Sequence, residues 1–159
     1  MTLTAGSTAT FSFSSGVIPQ GGAQVLFSFD ITGTRLSVNL TNTSAAGSAV
    51  IVTQLGFNFS AAPQVSHTLF VSYPSDSIFA IRSSSGTYPE GQITGLLLPG
   101  QSISVAFVLV APQSGITIRG PSVSLSTEPV PEPNTMILLG TALAATAAGI
   151  RRRRSSQRQ

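Results

Sequence analysis

The sequence contains no cysteine, no tryptophan and only one histidine among its 159 residues. The absence of cysteine excludes disulfide bonds and thiolate metal sites, and a single histidine argues against a zinc site. Phosphate-binding glycine loops are also absent. We therefore expect no metal and no cofactor. The lack of cysteine does not by itself distinguish an oxidising from a reducing compartment.

Charge is equally scarce, since charged residues make up 8% of the chain and lysine is missing altogether. The net charge of +3 suggests nucleic-acid binding until its distribution is considered. Before Thr127 three arginines balance three carboxylates: Arg35, Arg82, Arg119, Asp30, Asp76 and Glu90. The positive excess lies wholly in the C-terminal tail, so we expect no nucleic-acid partner.

Candidate catalytic residues are few. His67 could form a triad with Asp30 or Asp76 and a serine, but no nucleophile elbow accompanies it. We interpret His67 as an exposed or strand-end histidine. The three carboxylates Asp30, Asp76 and Glu90 are formally available for calcium or for glycoside hydrolysis, but they do not form an Asp-x-Asp loop. We predict that the protein is not an enzyme.

Apolar and polar residues alternate from Thr8 onward, as they do in half-buried β-strands. The clearest segments are Thr10–Ser14, Val25–Ile31, Leu36–Thr41, Val50–Phe59, Thr68–Tyr73, Ser77–Ile81, Gln92–Leu98, Ile103–Val110, Ile116–Ile118 and Val123–Leu125. We predict an all-β ectodomain over residues 1–126, an antiparallel β-sandwich of jelly-roll or immunoglobulin-like type. Its core should include Phe27, Phe29, Val38, Leu40, Val105 and Phe107.

Glycine and proline mark specific turns within this pattern. Gly33 predicts a tight hairpin, and Leu98–Gln101 fits a type II turn. Gly56 interrupts a long apolar run and predicts a bulge or a point of close packing. Ile103–Val110 is apolar on both faces, which predicts a central strand. Three Asn-x-Ser/Thr triplets begin at Asn39, Asn42 and Asn58, and strand and turn chemistry explains them.

The C-terminal region has a different organisation. A proline-rich linker at residues 127–134 contains Val130, Pro131, Glu132 and Pro133, and an apolar run follows from Met136 to Ile150. Prolines favour an extended backbone, and Asn134 can cap a following helix. We predict a transmembrane helix and an arginine-rich cytoplasmic tail over residues 135–159. Its 17 residues from Asn134 to Ile150 span roughly 25 Å, slightly less than the ~30 Å hydrocarbon core.

Four consecutive arginines, Arg151, Arg152, Arg153 and Arg154, end the apolar run. The positive-inside rule places them in the cytoplasm and everything before Pro133 outside. Within the predicted helix, Gly140, Ala144 and Ala148 recur at every fourth residue. Such small residues permit close helix packing in lipid, although the general abundance of small residues explains them as well.

The segment PEPNTMILLGTALAATAAGIRRRR, residues 131–154, resembles the PEP-CTERM sorting signal of bacterial envelope proteins. With Val130 included, the predicted signal covers residues 130–154. The resemblance implies processing by exosortase, a membrane protease, and export of the chain. It also implies association with exopolysaccharide and biofilm or floc formation. A proline-rich linker before a simple C-terminal anchor is the alternative interpretation of the same residues.

The N-terminus begins Met1-Thr2-Leu3-Thr4 and has no basic or apolar region typical of a signal peptide. An exported chain should have one, so we expect that the natural N-terminus is longer, or else that the chain is not exported. The favoured function is a non-catalytic surface or matrix protein, anchored in the bacterial membrane before processing. The alternative is a carbohydrate-binding module, in which Tyr73 and Tyr88 could stack on sugars, and a hydrolase ranks third.

Overall fold

The computed structural model describes residues 1–60, 65–75, 78–83 and 90–127. By its internal contacts the chain divides into two units, Met1–Glu128 and Pro129–Gln159, and all of the described residues belong to the first. All regular secondary structure in the described residues is β. Its ten strands are β1 (Thr2–Thr4), β2 (Thr8–Ser14), β3 (Gly22–Phe29), β4 (Arg35–Asn42), β5 (Val50–Ser60), β6 (Val65–Ser72), β7 (Ala80–Ser83), β8 (Glu90–Leu97), β9 (Ser102–Leu109) and β10 (Gly115–Thr127).

The strands form two antiparallel sheets, which confirms the predicted fold class at this level. The first sheet has the order β1-β10-β5-β8-β7, and the second has the order β2-β3-β4-β9-β6. Six connections pass from one sheet to the other, namely β1–β2, β4–β5, β5–β6, β6–β7, β8–β9 and β9–β10.

The core lies between the two sheets and follows from the alternation of each strand. Along β3, Val25, Phe27 and Phe29 are buried while the intervening residues face outward. All six side chains predicted for the core are at most 3% exposed. Phe57 of the first sheet meets two rings of the second, with its ring centroid 5.0 Å from that of Phe27 and 5.6 Å from that of Phe107. Edge-to-face contacts of this kind add to the stability that burial provides.

Two predicted turns and the predicted central strand are confirmed. Gly33 joins β3 to β4 with a φ of 67°, and Gly100 has a φ of 80° in the turn closed by the bond from Gln101 N–H to Leu98 O, 3.0 Å long. Positive φ at the third position of that turn is the mark of type II. Strand β9 pairs on both sides, with β4 and with β6.

Other strand predictions require correction. The segments Ile116–Ile118 and Val123–Leu125 belong to one long strand, β10, whose register shifts between Arg119 and Ser122. Gly120, with a φ of 55°, lies at this shift. The sequence predicted a bulge or a point of close packing at Gly56. The register shift lies instead in β10, on the strand that pairs with Gly56. Strand β1 was missed, because Thr2–Thr4 is too short to show alternation.

Two edge strands have bounds that differ from the predicted ones. Strand β6 begins at Val65 rather than Thr68, and β7 covers Ala80–Ser83 rather than beginning at Ser77. Both end a sheet, so each is paired on one side only and its burial pattern is weaker. The predicted transmembrane helix, residues 135–159, lies outside the described residues. In the part of the chain that is described, no helix has the length and hydrophobicity needed to cross a membrane.

Candidate functional site

The residues predicted to carry sorting all lie beyond the described part of the chain. They are the linker residues Val130, Pro131, Glu132 and Pro133, the small residues Gly140, Ala144 and Ala148, and the basic residues Arg151, Arg152, Arg153 and Arg154. Their assigned roles stay predictions. The described side chains all belong to residues 1–127.

Asp30 forms hydrogen bonds within the β3–β4 hairpin. Its carboxylate accepts hydrogen bonds from the backbone N–H groups of Thr34 and Arg35, both 2.8 Å long, and from the hydroxyl groups of Thr32 and Thr34. Burial by itself raises the pKa of Asp30, but these four hydrogen bonds outweigh it and hold the pKa below its ordinary value. The carboxylate is thus ionised, and its hydrogen bonds are made within the turn.

His67 lies on edge strand β6 and is exposed, as the sequence predicted. Its Nδ1 is 3.3 Å from the Ser66 hydroxyl oxygen, and no hydrogen bond joins it to Asp30 within the described residues. Asp76 and the side chain of Glu90 lie outside those residues. Among the side chains that are described, no group of three or more His, Cys, Asp or Glu residues converges as a metal site would require.

An aromatic row lies where β6 leads toward β7. The Tyr73 ring centroid is 5.3 Å from that of Phe70 and 6.5 Å from that of Phe79, with interplanar angles of 57° and 65°. Tyr73 is 57% exposed and Phe70 36% exposed. Because the rings are inclined to one another, they do not form the flat platform that stacks on a sugar ring. Tyr88, the other predicted stacking residue, lies outside the described residues.

Asn42 has a structural role that the sequence did not reveal. Its side chain is fully buried, and Nδ2 donates to the carbonyl oxygens of Val50, at 3.0 Å, and Leu97, at 2.7 Å. Its Oδ1 accepts a 3.0 Å hydrogen bond from Ser44 N–H. Three of the four hydrogen bonds that an asparagine amide can make are therefore formed within the protein.

The outer face of the first sheet carries an open polar depression of about 220 Å³. We call it the Gly56 depression, after the residue at its centre; its lining residues are Gln54, Gly56, Phe57, Asn58, Gly91, Gln92, Gly120 and Ser122. Leu55 and Phe57 point into the core, so Gln54, Gly56 and Asn58 point outward. Across the sheet Gly56 pairs with Gln92 of β8 and with Ser122 of β10.

Three amide side chains therefore surround a position that has no side chain. Gln54 and Asn58 lie two residues to either side of Gly56 along β5, and Gln92 lies beside it on β8. The sequence indicated this arrangement only through a glycine inside an alternating run. Such a glycine does not show on which face of the sheet a cavity forms.

Comparison with known proteins concerns the C-terminal region. Residues 129–154 match the family model for the PEP-CTERM protein-sorting motif. No curated protein and no solved structure matches the chain. The matched segment supports sorting by exosortase, and with it export and sorting to the surface. The chain therefore carries a PEP-CTERM protein-sorting motif at residues 129–154, as the sequence of its C-terminal region predicted.

Proposed function

We propose that this chain is a non-catalytic protein of the bacterial surface or extracellular matrix. Exosortase processes its C-terminal signal and releases the β-sheet ectodomain, residues 1–126. Before processing, a helix within residues 135–159 anchors the chain in the membrane. The observation that carries the proposal is the PEP-CTERM match at residues 129–154.

The proposed mechanism follows from the residues of the signal. Pro131 and Pro133 keep the segment extended, which suits a protease cleft and lowers the entropy lost on binding. Glu132 between them offers one carboxylate for a basic group of the enzyme. The arginine block fixes the orientation of the predicted helix, so that the Pro-Glu-Pro segment lies at the outer surface of the membrane.

We propose a binding role for the ectodomain rather than a catalytic one. Asp30, the one described carboxylate whose pKa departs from its ordinary value, is held by the hairpin through four hydrogen bonds. A general acid needs a pKa near the working pH, so the lowered pKa of Asp30 fits a structural role in the turn and not a role as general acid. We propose that the released ectodomain associates with extracellular polysaccharide and contributes to biofilm.

The test is the intact mass of the secreted product. The chain, fused behind a cleavable secretion signal, is expressed in a host with exosortase and in the same host without it. We expect a product that ends near Pro131–Pro133 only when exosortase is present. A product still ending at Gln159 in the exosortase host would show that the tail is only an anchor.

A pair of variants tests the motif itself. Glu132→Gln removes the carboxylate between the prolines, and we expect slower release because the charge-assisted contact is lost. Glu128→Gln is the matched control, since it removes an equal charge four residues upstream. Equal rates of release for the two variants would contradict the role given to Glu132.

The second candidate function is a carbohydrate-binding module. One observation favours it, namely the Gly56 depression with its three amide side chains. The two functions are compatible, because a sorted surface protein can bind polysaccharide through its ectodomain.

A further inference from the structure

Neither backbone conformation nor packing gives Gly56 a structural reason to be glycine. It lies in β5, the middle strand of the first sheet, and its φ is not in the left-handed region. A Cβ built there meets only the Ser122 hydroxyl oxygen at 3.4 Å and Gln54 Nε2 at 3.9 Å, which are ordinary contacts. Glycine within a strand lowers stability, because it has no side chain to pack and loses more backbone entropy on folding.

Other glycines that line the depression do have such a reason. A Cβ at Gly91 would lie 2.3 Å from the Phe57 ring, and Gly120 has a φ of 55° at the register shift of β10. Gly56 differs from both. In a strand that would be more stable with a larger residue, a glycine with open space above it often marks a site where a ligand approaches closely.

The walls of the depression carry amide groups for which the described residues provide no hydrogen-bond partner. Gln54, Asn58 and Gln92 are each half-buried. Their side-chain amides make no hydrogen bond to any described residue. Ser122 donates a 3.3 Å hydrogen bond to the Gly56 carbonyl oxygen and keeps its own acceptor capacity. Each amide offers two donors and one acceptor oxygen, so the lining side chains present both types of group and are themselves uncharged.

We propose that the Gly56 depression binds a neutral polysaccharide. Hydroxyl groups on a sugar both donate and accept, and they match a set of amides better than a phosphate or carboxylate ligand would. The depression is open on the outer face of a sheet, so an extended chain can pass across it without being enclosed. The inference rests on the proposed association with extracellular polysaccharide, and it assigns that association to Gln54, Gly56, Asn58 and Gln92.

The sharpest test fills the depression without disturbing the fold. Gly56→Val places two methyl groups where the sugar would lie, and a β-branched residue suits a central strand. Retention of the full chain in mild detergent is measured by native affinity electrophoresis in gels that contain dextran, xyloglucan, galactomannan or alginate. We expect the wild-type protein to be retained by at least one of the three neutral polymers. For Gly56→Val we expect at least about tenfold weaker binding, from the loss of one to two hydrogen bonds.

Three further proteins complete the experiment. Gly56→Ala should weaken retention less, and Gln92→Ala should weaken it while leaving the floor of the depression unchanged. Ser124→Val is the matched control, because Ser124 is exposed on the next row of the same face and does not line the depression. We expect Ser124→Val to be retained like the wild type, and the urea midpoint of Gly56→Val to be no lower than that of the wild type.

Several results would overturn the inference. These are retention by no neutral polymer, retention by alginate alone, or retention that Gly56→Val and Gln92→Ala leave unchanged. A change in self-association of Gly56→Val without a change in retention would assign the face to a second copy of the chain instead. Processing is measured separately, so a chain that is cut by exosortase but not retained contradicts this inference and leaves the proposed sorting intact.

Discussion

The side-chain amide of Asn42 donates a 2.7 Å hydrogen bond to the carbonyl oxygen of Leu97. Asn42 ends β4 in the second sheet, and Leu97 ends β8 in the first. The same amide donates to Val50 O at the start of β5, so one buried side chain links two strands of the first sheet to the second. The bond lies inside the sandwich, where water cannot replace it.

Asn42→Ala should be among the most destabilising single substitutions in the ectodomain. It leaves the carbonyl oxygens of Val50 and Leu97 buried without their donor, and each such loss costs about 1–3 kcal/mol. We expect the free energy of unfolding to fall by about 3 kcal/mol in urea titrations. Asn39→Ala is the control, because Asn39 only accepts a 3.1 Å bond from the Thr41 hydroxyl group, and it should cost about 0.5 kcal/mol. Equal losses would show that Asn42 does not link the sheets.

Asn42 illustrates which features of this fold the sequence could predict and which it could not. Alternation places Phe27, Phe29 and Val38 in the core because burial on one face of a strand is a local pattern. The bonds from Asn42 to Val50 and Leu97 join residues up to 55 positions apart. Nothing in the Asn-Thr-Ser triplet that begins at Asn42 distinguishes a buried amide from a residue of an exposed turn.

Gly33→Ala should strongly destabilise the β3–β4 hairpin. Gly33 has a φ of 67°, and a Cβ there would lie 2.0 Å from the carbonyl oxygen of Gln113, a backbone atom that cannot rotate away. The left-handed conformation and the clash together should cost about 2–4 kcal/mol in urea titrations. Gly100→Ala separates the two causes, because Gly100 has a φ of 80° and nothing within 4 Å of the added atom. Gly100→Ala should lower the free energy of unfolding by only about 1 kcal/mol. An equal loss of stability in Gly33→Ala and Gly100→Ala would show that the clash with Gln113 does not contribute.

Asp30 should make the stability of the ectodomain depend on pH in the acid range. Its pKa in the folded state is lowered below the ordinary value of 3.8, so the unfolded chain binds the proton more readily. The stabilisation is therefore present above the ordinary pKa and is lost as the pH falls through it toward the folded value. Asp30→Asn should lower the free energy of unfolding at pH 6, and the difference from the wild type should shrink by pH 3. Urea titrations across that range measure it, and a constant difference would contradict the role of the carboxylate.

The two candidate sites differ in what the sequence could predict. The sorting signal is a contiguous order of prolines, apolar residues and arginines, so residues 130–154 could be recognised without a structure, and the family match agrees. The Gly56 depression is formed by β5, β8 and β10, and its shape depends on the register that pairs Gly56 with Gln92 and Ser122. Register across strands distant in sequence cannot be deduced from alternation alone, because the pattern repeats every two residues.

The arginine block should determine the topology of the full chain. In a host without exosortase, where the tail stays uncut, we expect the C-terminus in the cytoplasm, because each basic residue near an anionic surface contributes about 1 kcal/mol. Replacing Arg151–Arg154 by alanine should reduce this preference. A C-terminal alkaline phosphatase fusion, active only outside the cytoplasm, should then gain activity. Replacement of the same four residues by lysine keeps the charge and should keep the fusion inactive. An inactive fusion in the alanine variant would show that another feature of the chain sets its orientation.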